Sequence, residues 1–346
     1  MWGWLRLWSS LKTLHYIISC RRNSEGNMET SLKGCRVLVT GINGFIGSHL
    51  ARELIATGAE VSGLIKQGAD LWRIKDIVGR IALENADIRD YAQVQSAIRK
   101  ACPRKVFHLA AYVNVSRSWE HSREMIDTNL LGTINLLHAL EAGACDCFIN
   151  SGTCEEYGDN TTPFTEDQCP NPVSPYSASK AAATLFCSMI YKTKKVPIVT
   201  LRPFLTYGPQ QISNMLIPYV IQKALLGQDI EMTKGEQTRE FNYVTDIVDG
   251  YIRASVTPQA LGEVINIGNA KEYKIIDVVT MILKMLGNPV KPKAGALAYR
   301  PGETMHFYCD NTKARTILKW KPKVPLEEGL KKTIEWYLAR KDRKAL

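Results

Sequence analysis

Val37-Leu-Val-Thr-Gly41-Ile-Asn-Gly44-Phe-Ile-Gly47 runs straight into Ser48-His-Leu-Ala-Arg-Glu-Leu-Ile55. A short apolar run ends in a glycine turn, and a helical pattern begins at once. Glycines in such a turn permit a tight bend, let the backbone approach a pyrophosphate, and let the helix pack closely on the strand. The helix N-terminus adds unpaired N–H groups and positive partial charge, both favourable to phosphate.

Outward from this turn, strand-like and helix-like patterns alternate, which predicts a parallel sheet with crossover helices. Strands are expected near 36–40, 60–65, 80–83, 105–109, 146–150 and 197–202. Helices are expected near 45–57, 90–101, 122–142, 177–192, 214–226 and 245–256, with Leu50, Leu54 and Ile55 of the first facing inward. The fold class is therefore α/β, a Rossmann doubly wound parallel sheet with a smaller C-terminal substrate-binding lobe. From about residue 203 the pattern breaks up around Pro203, Pro209 and Pro218, and a last helix is expected near 326–340. The expected organisation is an N-terminal extension over 1–30, a nucleotide-binding domain over 31–203 with a return segment near 240–258, and the lobe over 204–346. Ligands of open α/β sheets bind at the carboxyl ends of strands. Gly41, Asp87, Ala110, Ala111, Thr153 and Pro203 all follow expected strands, so they should line one cleft.

A second signal lies in Ser174-Pro-Tyr-Ser-Ala-Ser-Lys180. Residues four apart share a helix face, so Tyr176 and Lys180 are neighbours. A cation about 4 Å from a phenol, at an effective dielectric near 20, favours phenolate by roughly 4 kcal/mol. That is about three pKa units, enough to bring Tyr176 towards neutrality as an acid or base.

Composition sets broader limits. The chain has 346 residues, 45% hydrophobic and 23% charged, with a net charge of +10, ordinary for a globular protein. The basic residues are dispersed, which argues against nucleic acid and for a phosphorylated small molecule as the partner. Nine cysteines show no Cys-x-x-Cys spacing, so reduced thiols and a cytoplasmic location are expected. Cys145-Asp-Cys147 has no histidine nearby to complete a metal site, and no metal is expected. In the first thirty residues Trp4, Leu7, Trp8, Leu11, Leu14 and Ile18 recur at helical spacing. Two readings stand: an interfacial helix giving weak membrane association through residues 1–20, or a chain that starts at Met28.

The ordered motifs resemble those of the extended short-chain dehydrogenases/reductases, in their nucleotide-sugar epimerase/dehydratase branch. They are Thr40-Gly-x-x-Gly-x-x-Gly47, Asp87-Ile-Arg-Asp90, His108-Leu-Ala-Ala111, Asn129-Leu-Leu-Gly-Thr133, Ser151-Gly-Thr153-Cys-Glu155-Glu-Tyr-Gly158 and Tyr176-x-x-x-Lys180. Arg202-Pro-x-x-x-Tyr-Gly-Pro209, Arg239-Glu-Phe-Asn-Tyr-Val-Thr-Asp246, Asn266-Ile-Gly268 and Arg300-Pro-Gly-Glu303 complete the set, from Gly34 to about Tyr337.

The resemblance implies roles. Tyr176 would move a proton at a sugar oxygen, Lys180 would lower the Tyr176 pKa and bind the nicotinamide ribose, and Thr153 would hold the same sugar oxygen. Glu155 stands where related dehydratases keep a Glu base, whereas Glu156 reads as structural. Cys154 replaces the Asp acid of one dehydratase group, although another group has Ser there. The cofactor would be held by Gly41, Gly44, Phe45, Ile46, Gly47, Asp87, Ile88, Leu109, Ala110 and Ala111, together with Tyr176 and Lys180. Arg239 and Arg300 would bind the substrate's phosphates, and Leu205 replaces a usual Asn or Ser. At the end of the second strand, Val61-Ser-Gly-Leu-Ile65-Lys66-Gln67 has no carboxylate and places Lys66 in reach. A cation there favours a 2′-phosphate, so NADP is expected in preference to NAD.

These readings define an enzyme with redox chemistry at C4 of a nucleoside-diphosphate sugar. Reduction of a 4-keto-6-deoxyhexose or 4-epimerisation leads. A 4,6-dehydratase or uronate decarboxylase using Glu155 is the alternative, and a non-catalytic dinucleotide sensor is a distant third. The resemblance also implies a homodimer through helices 122–142 and 177–192, with Met125, Leu137, Leu140, Leu185, Met189 and Ile190 as available apolar contacts.

Overall fold

The computed structural model describes residues 32–140, 145–300 and 302–341. The expected N-terminal interfacial helix lies outside the described residues, and none of the described helices is long and apolar enough to cross a membrane. A seven-stranded sheet forms the centre. Its strands are β1 (Arg36–Thr40), β2 (Glu60–Ile65), β3 (Ala82–Asn85), β4 (Lys105–His108), β5 (Cys147–Ser151), β6 (Ile198–Pro203) and β7 (Val264–Ile267). They lie in the order β7-β6-β5-β4-β1-β2-β3, and every pair is parallel. The order reverses between β1 and β4, where Thr40 stands opposite His108. A doubly wound sheet opens its ligand crevice at such a switch point.

The strands explain why both faces must be covered. In β1, Val37 and Val39 point to one side and Leu38 to the other, and all three are buried. Alternate side chains of a strand face opposite ways, so a strand apolar on both faces needs a helical layer on each. One layer holds α1 (Phe45–Ala56) and, later in the chain, Val244–Val256. Leu50, Leu54, Ile247 and Tyr251 pack there on Val39, Phe107, Ile149 and Leu201. The other layer holds α2 (Tyr91–Ala101), the helical run between Ser122 and Ala139 (α3) and α4 (Pro175–Lys194), with Val94, Leu136 and Cys187 against Leu38, Val106 and Phe148. Each fully buried aliphatic or aromatic side chain contributes about 1.5–3 kcal/mol.

Helix α3 runs through Ser122–Met125, a π-helical stretch Ile126–Leu131 and Gly132–Ala139. The sequence suggested one regular helix, because a single widened turn leaves no mark in hydrophobic spacing. Of the residues offered as dimer contacts, Met125, Leu137 and Leu140 are buried in the chain's own core. Leu185 and Met189 are exposed, at 60% and 41%. Ile190 is partly buried against the same core.

After β6 the chain builds a second apolar cluster from α5 (Leu216–Leu225), α7 (Ile275–Met285) and α9 (Leu326–Lys341), while α6 (Val244–Val256), which lies before α7 in the chain, stays in the first layer against the sheet. Val220, Ile221, Val279, Ile282 and Leu330 are its centre. The chain returns to the sheet at β7, α8 (Thr312–Ile317) and Trp320, whose indole donates to the Asp246 carbonyl at 2.9 Å. The strand near 80–83 forms two residues later than expected, because register with β2 pairs Ser62 with Ala82 and Ile65 with Asn85.

Candidate active site

A cavity of about 1220 Å³ opens along the carboxyl ends of the strands and extends between the sheet and the second cluster. The glycine turn after β1 forms its floor. Gly41 has φ +69°, and a Cβ there would lie 2.8 Å from the Ala110 nitrogen. Only glycine accepts both the left-handed backbone and that approach. Gly41, Gly44, Phe45, Ile46 and Gly47 all line the cavity at the start of α1. A bare backbone cradle at a helix N-terminus fits a dinucleotide pyrophosphate.

Behind the turn runs a buried polar relay. The Thr40 hydroxyl accepts from Ala110 N–H (3.1 Å) and meets His108 Nδ1 at 2.8 Å, while His108 Nε2 meets Thr133 Oγ1 at 2.9 Å. Thr133 in turn donates to the Asn129 carbonyl at 2.7 Å. That hydroxyl has spent its proton, so Nε2 carries the imidazole hydrogen. Burial, reinforced by Lys180, pushes the His108 pKa down to about 3, and the ring stays neutral. Asn129, on the π-helical stretch, bridges Tyr112 and the Ser179 hydroxyl of α4. The sequence motifs contained these residues without disclosing the relay, which depends on contacts between distant segments.

The residues for which the sequence predicts a proton-handling role are brought to one cavity. Ser174 caps α4 by accepting from Ser177 N–H at 3.1 Å, and Pro175 takes the first helical position. Both devices favour a helix start, and they set Tyr176 in the first turn with Lys180 one turn on. Tyr176, Lys180, Thr153 and Glu155 line the same cavity. The expected fall in the Tyr176 pKa is not found. Burial pushes the phenol up, a hydrogen bond with Thr153 opposes this, and Cys154, Glu155 and Glu156 add to the rise. Lys180 is itself buried, which lowers its pKa, and Glu156 counters that effect. The spacing gave the adjacency; desolvation and the local carboxylates govern the proton affinity.

Glu155 and Glu156 are adjacent in a 3-10 turn and face different surroundings. Burial raises the Glu155 pKa, Arg239, Arg300 and Arg117 lower it, and Glu303 raises it. Glu156 is wholly buried and lies outside the cavity lining. Its Oε1 accepts from Thr153 N–H (2.9 Å) and the Thr184 hydroxyl (3.1 Å), and its Oε2 binds Arg202 Nε (3.0 Å) and Nη2 (2.9 Å). Arg202 also lies over the Tyr157 ring, 4.5 Å from its centre. This is the structural role expected of Glu156.

At the far end, Arg239 and Arg300 reach the cavity and share Glu303. Arg239 Nη2 pairs with it closely, and Arg300 Nε lies 3.5 Å from its other oxygen. Leu205, Phe241 and Phe307 supply an apolar wall there. At the opposite end Lys66, Ile88, Leu109, Ala110 and Ala111 line the cavity as expected. Asp87 does not. Its carboxylate is held by Arg89 at 2.6 Å and by Lys66 at 3.7 Å, while its neighbours Ala86 and Ile88 take the lining positions. Among the described residues, no group of three or more metal-ligating side chains gathers.

A switch-point cleft with a phosphate cradle at one end, a Tyr–Lys–Thr cluster at the middle and paired arginines at the other defines an NAD(P)-dependent enzyme that modifies nucleotide sugars. Residues 38–333 match the family profile described as GDP-mannose 4,6 dehydratase. The dTDP-glucose 4,6-dehydratase of Neisseria gonorrhoeae is 35% identical, over 89% of this chain and 97% of that protein. An epimerase from Methanothermobacter thermautotrophicus superposes with a TM-score of 0.85 at 28% identity, over 91% of this chain and 96% of that one. The UDP-glucuronic acid 4-epimerase of Bacillus cereus, solved with UDP-glucuronic acid and NAD, gives 0.80 at 30% identity, over 88% and 99%. The chain belongs to the GDP-mannose 4,6 dehydratase family, within the extended short-chain dehydrogenases/reductases that act as sugar epimerases and dehydratases.

Removing the Glu156 carboxylate strands a buried guanidinium. Glu156→Ala is expected to cost about 3–5 kcal/mol, read as a lower urea midpoint at unchanged m-value. A loss below about 1 kcal/mol would contradict the structural role.

Proposed function

We propose that this enzyme is a nucleoside-diphosphate-hexose 4,6-dehydratase, which converts its sugar to the 4-keto-6-deoxy form with loss of water. The sequence had put 4-keto reduction or 4-epimerisation first. The observation that favours the alternative is Glu155, a half-buried carboxylate on the cavity wall two residues from Thr153, with its proton affinity raised by desolvation. Reduction or epimerisation at C4 has no need of a base at C5. The dTDP-glucose 4,6-dehydratases of Neisseria gonorrhoeae and other bacteria, at up to 35% identity, support the same reading.

In this reading Gly41, Gly44, Phe45, Ile46 and Gly47 hold the cofactor's pyrophosphate. Ile88, Leu109, Ala110 and Ala111 flank the bound dinucleotide, and Lys180 holds its nicotinamide ribose. Bound NAD(P) supplies the hydride acceptor at C4 and the donor at C6. Thr153 and Tyr176 hold the C4 hydroxyl, and Tyr176 takes its proton as the ketone forms; this requires the phenolate, so Lys180 one turn on has to offset the rise that burial imposes on the phenol. The ketone acidifies C5–H. Glu155 removes that proton and returns it to the departing C6 oxygen, so the C6 hydroxyl leaves as water. The proton lost at the C4 hydroxyl balances the one regained at C5. Arg239 and Arg300 hold the substrate's diphosphate, where a guanidinium matches phosphate geometry.

For the cofactor, the absence of a carboxylate from Val61 to Gln67 and the presence of Lys66 on the cavity wall support NADP over NAD. For assembly, Ile126, Leu185 and Met189 are exposed apolar residues on α3 and α4. Two such copies meeting through these helices would cover them, which supports a homodimer.

The reaction itself is the first test. Incubation with dTDP-glucose, UDP-glucose and GDP-mannose should give a product 18 mass units lighter. Unchanged mass would indicate epimerisation, and loss of carbon dioxide from a uronate would indicate decarboxylation. Glu155→Gln should lower kcat by about 10²–10⁴ and leave the urea midpoint nearly unchanged. Glu155 must be ionised to act as a base, so kcat should fall as pH drops through its raised pKa. The acidic limb should therefore lie above the ordinary Glu value of 4.5. Full water loss by Glu155→Gln would overturn the dehydratase assignment.

Lys66→Ala should erode the preference for NADP over NAD by roughly tenfold, the value of one charge-assisted contact; an unaltered ratio rejects the NADP reading. Leu185→Asp should convert a dimer to a monomer in sedimentation. A wild-type chain that sediments as a monomer rules the dimer out.

A further inference from the structure

One residue outside every role assigned so far reaches across the mouth of the cavity. Arg117 lies in the segment between β4 and α3, on the sheet side, and its Nη2 donates to the Gly302 carbonyl at 3.0 Å. Gly302 belongs to the stretch that carries Arg300, Glu303 and Thr304, all on the cavity wall. Arg239 holds the same stretch from the other side, through the Thr304 carbonyl at 2.8 Å and through Glu303. Residues 302–304 are thus gripped by two guanidiniums, one from the sheet and one from the lobe.

The local backbone is shaped for this grip. Gly302 has φ +69°, and a Cβ built there would lie 2.8 Å from Arg117 Nη1. Any side chain at 302 both strains the backbone and displaces the guanidinium. The base of the Arg117 segment is fixed as well. Tyr112 exchanges two hydrogen bonds with the Asn129 side chain, which also donates to Ser179 on α4. Arg117 lines the cavity with Glu155, and its charge acts on that carboxylate. The segment therefore runs from the helix that carries Tyr176 to the stretch that carries Arg300.

We infer that Arg117 is a positioning residue. By latching Gly302 from the sheet side, it sets Arg300 and Glu303, and through Glu303 also Arg239, in register to receive the substrate's diphosphate. The inference rests on the reading of Arg239 and Arg300 as diphosphate ligands. It makes nucleotide binding depend on a contact between the two sides of the cleft. Loss of the latch then weakens binding of the nucleotide portion and leaves the chemistry at the sugar largely intact.

The test uses the holoenzyme with cofactor bound and titrates UDP and dTDP by calorimetry. Arg117→Ala should weaken both by about tenfold, the scale of one charge-assisted hydrogen bond. KM for the sugar nucleotide should rise by the same factor and kcat on its pH plateau should stay within about twofold, while its acidic limb moves up because Arg117 no longer lowers the Glu155 pKa. Arg117→Lys should recover part of the loss, since an ammonium can still donate to the carbonyl. Gly302→Ala should reproduce the Arg117→Ala loss. The double variant should be no weaker than either single, because both break one contact. Nucleotide binding by Arg117→Ala within about twofold of wild type overturns the latch, as do additive losses in the double variant. Undiminished UDP and dTDP binding by both Arg239→Ala and Arg300→Ala would overturn the diphosphate reading and the latch with it. That result is separable from an unaltered Arg117→Ala alone.

Discussion

The buried pair of Glu156 and Arg202 is the constraint on which the centre of the site depends. A carboxylate wholly removed from water is tolerable only when its charge and lone pairs are met. Here they are met by Arg202 on β6, the Thr184 hydroxyl on α4 and the Thr153 amide after β5. Three segments are thereby pinned to one side chain, among them the two that carry Tyr176, Lys180, Thr153 and Glu155. Such a pair adds little net stability compared with a well-packed apolar core, but its loss from one side is costly. It acts as a fixed point. Because Glu156 is committed inward, the next turn position, Glu155, is left on the cavity wall. Two adjacent glutamates thus divide into one that builds the site and one that is available to it.

A second fixed line joins the phosphate end to the same centre. Ala110, Thr40, His108 and Thr133 are linked in series, and Asn129 carries the line on to Ser179. The middle of this line is buried and neutral, since His108 stays deprotonated down to a pKa of about 3. A satisfied buried network specifies one arrangement. The widened turn in α3 belongs to this economy, because it lies where Asn129 bridges Tyr112 and α4. The cleft is therefore held in register at its floor by hydrogen bonds and at its centre by an ion pair.

How much of this was legible follows from the range of each interaction. The strand–glycine–helix unit at Val37–Ile55 and the Tyr176–Lys180 adjacency are local, and both are found where the sequence put them. The convergence of Gly41, Ala110, Ala111, Thr153 and Pro203 followed from the rule that strand ends share a crevice. What the sequence could not yield depends on burial and on distant partners. The Tyr176 proton affinity was judged from Lys180 alone, whereas desolvation dominates it. Asp87 has the right position in its motif, yet Arg89, two residues on, draws its carboxylate out of the cavity lining. Met125, Leu137 and Leu140 had the right spacing for an interface and went to the core, a choice that periodicity alone does not make.

The two departures from the resembling enzymes, Cys154 and Leu205, bear on the proposed reaction together. Cys154 sits at the edge of an aromatic cluster with Tyr157, Phe164, Phe204 and Phe307, and Leu205 packs on the same cluster. Burial holds the Cys154 thiol well above its ordinary pKa, with Glu155 and Glu240 adding to the rise. A thiol that keeps its proton so firmly is a poor donor to a departing hydroxyl. Leu205 likewise offers the sugar contact area and no hydrogen bond. In the proposed dehydration the polar work at the sugar end would fall to Glu155, whose proton affinity desolvation raises. A carboxyl whose pKa lies above its ordinary value is better suited to serve first as base and then as acid. The thiol beside it is packed into the aromatic cluster and out of the reaction, whereas Glu155 stays on the cavity wall under the opposing charges of Arg239, Arg300 and Glu303.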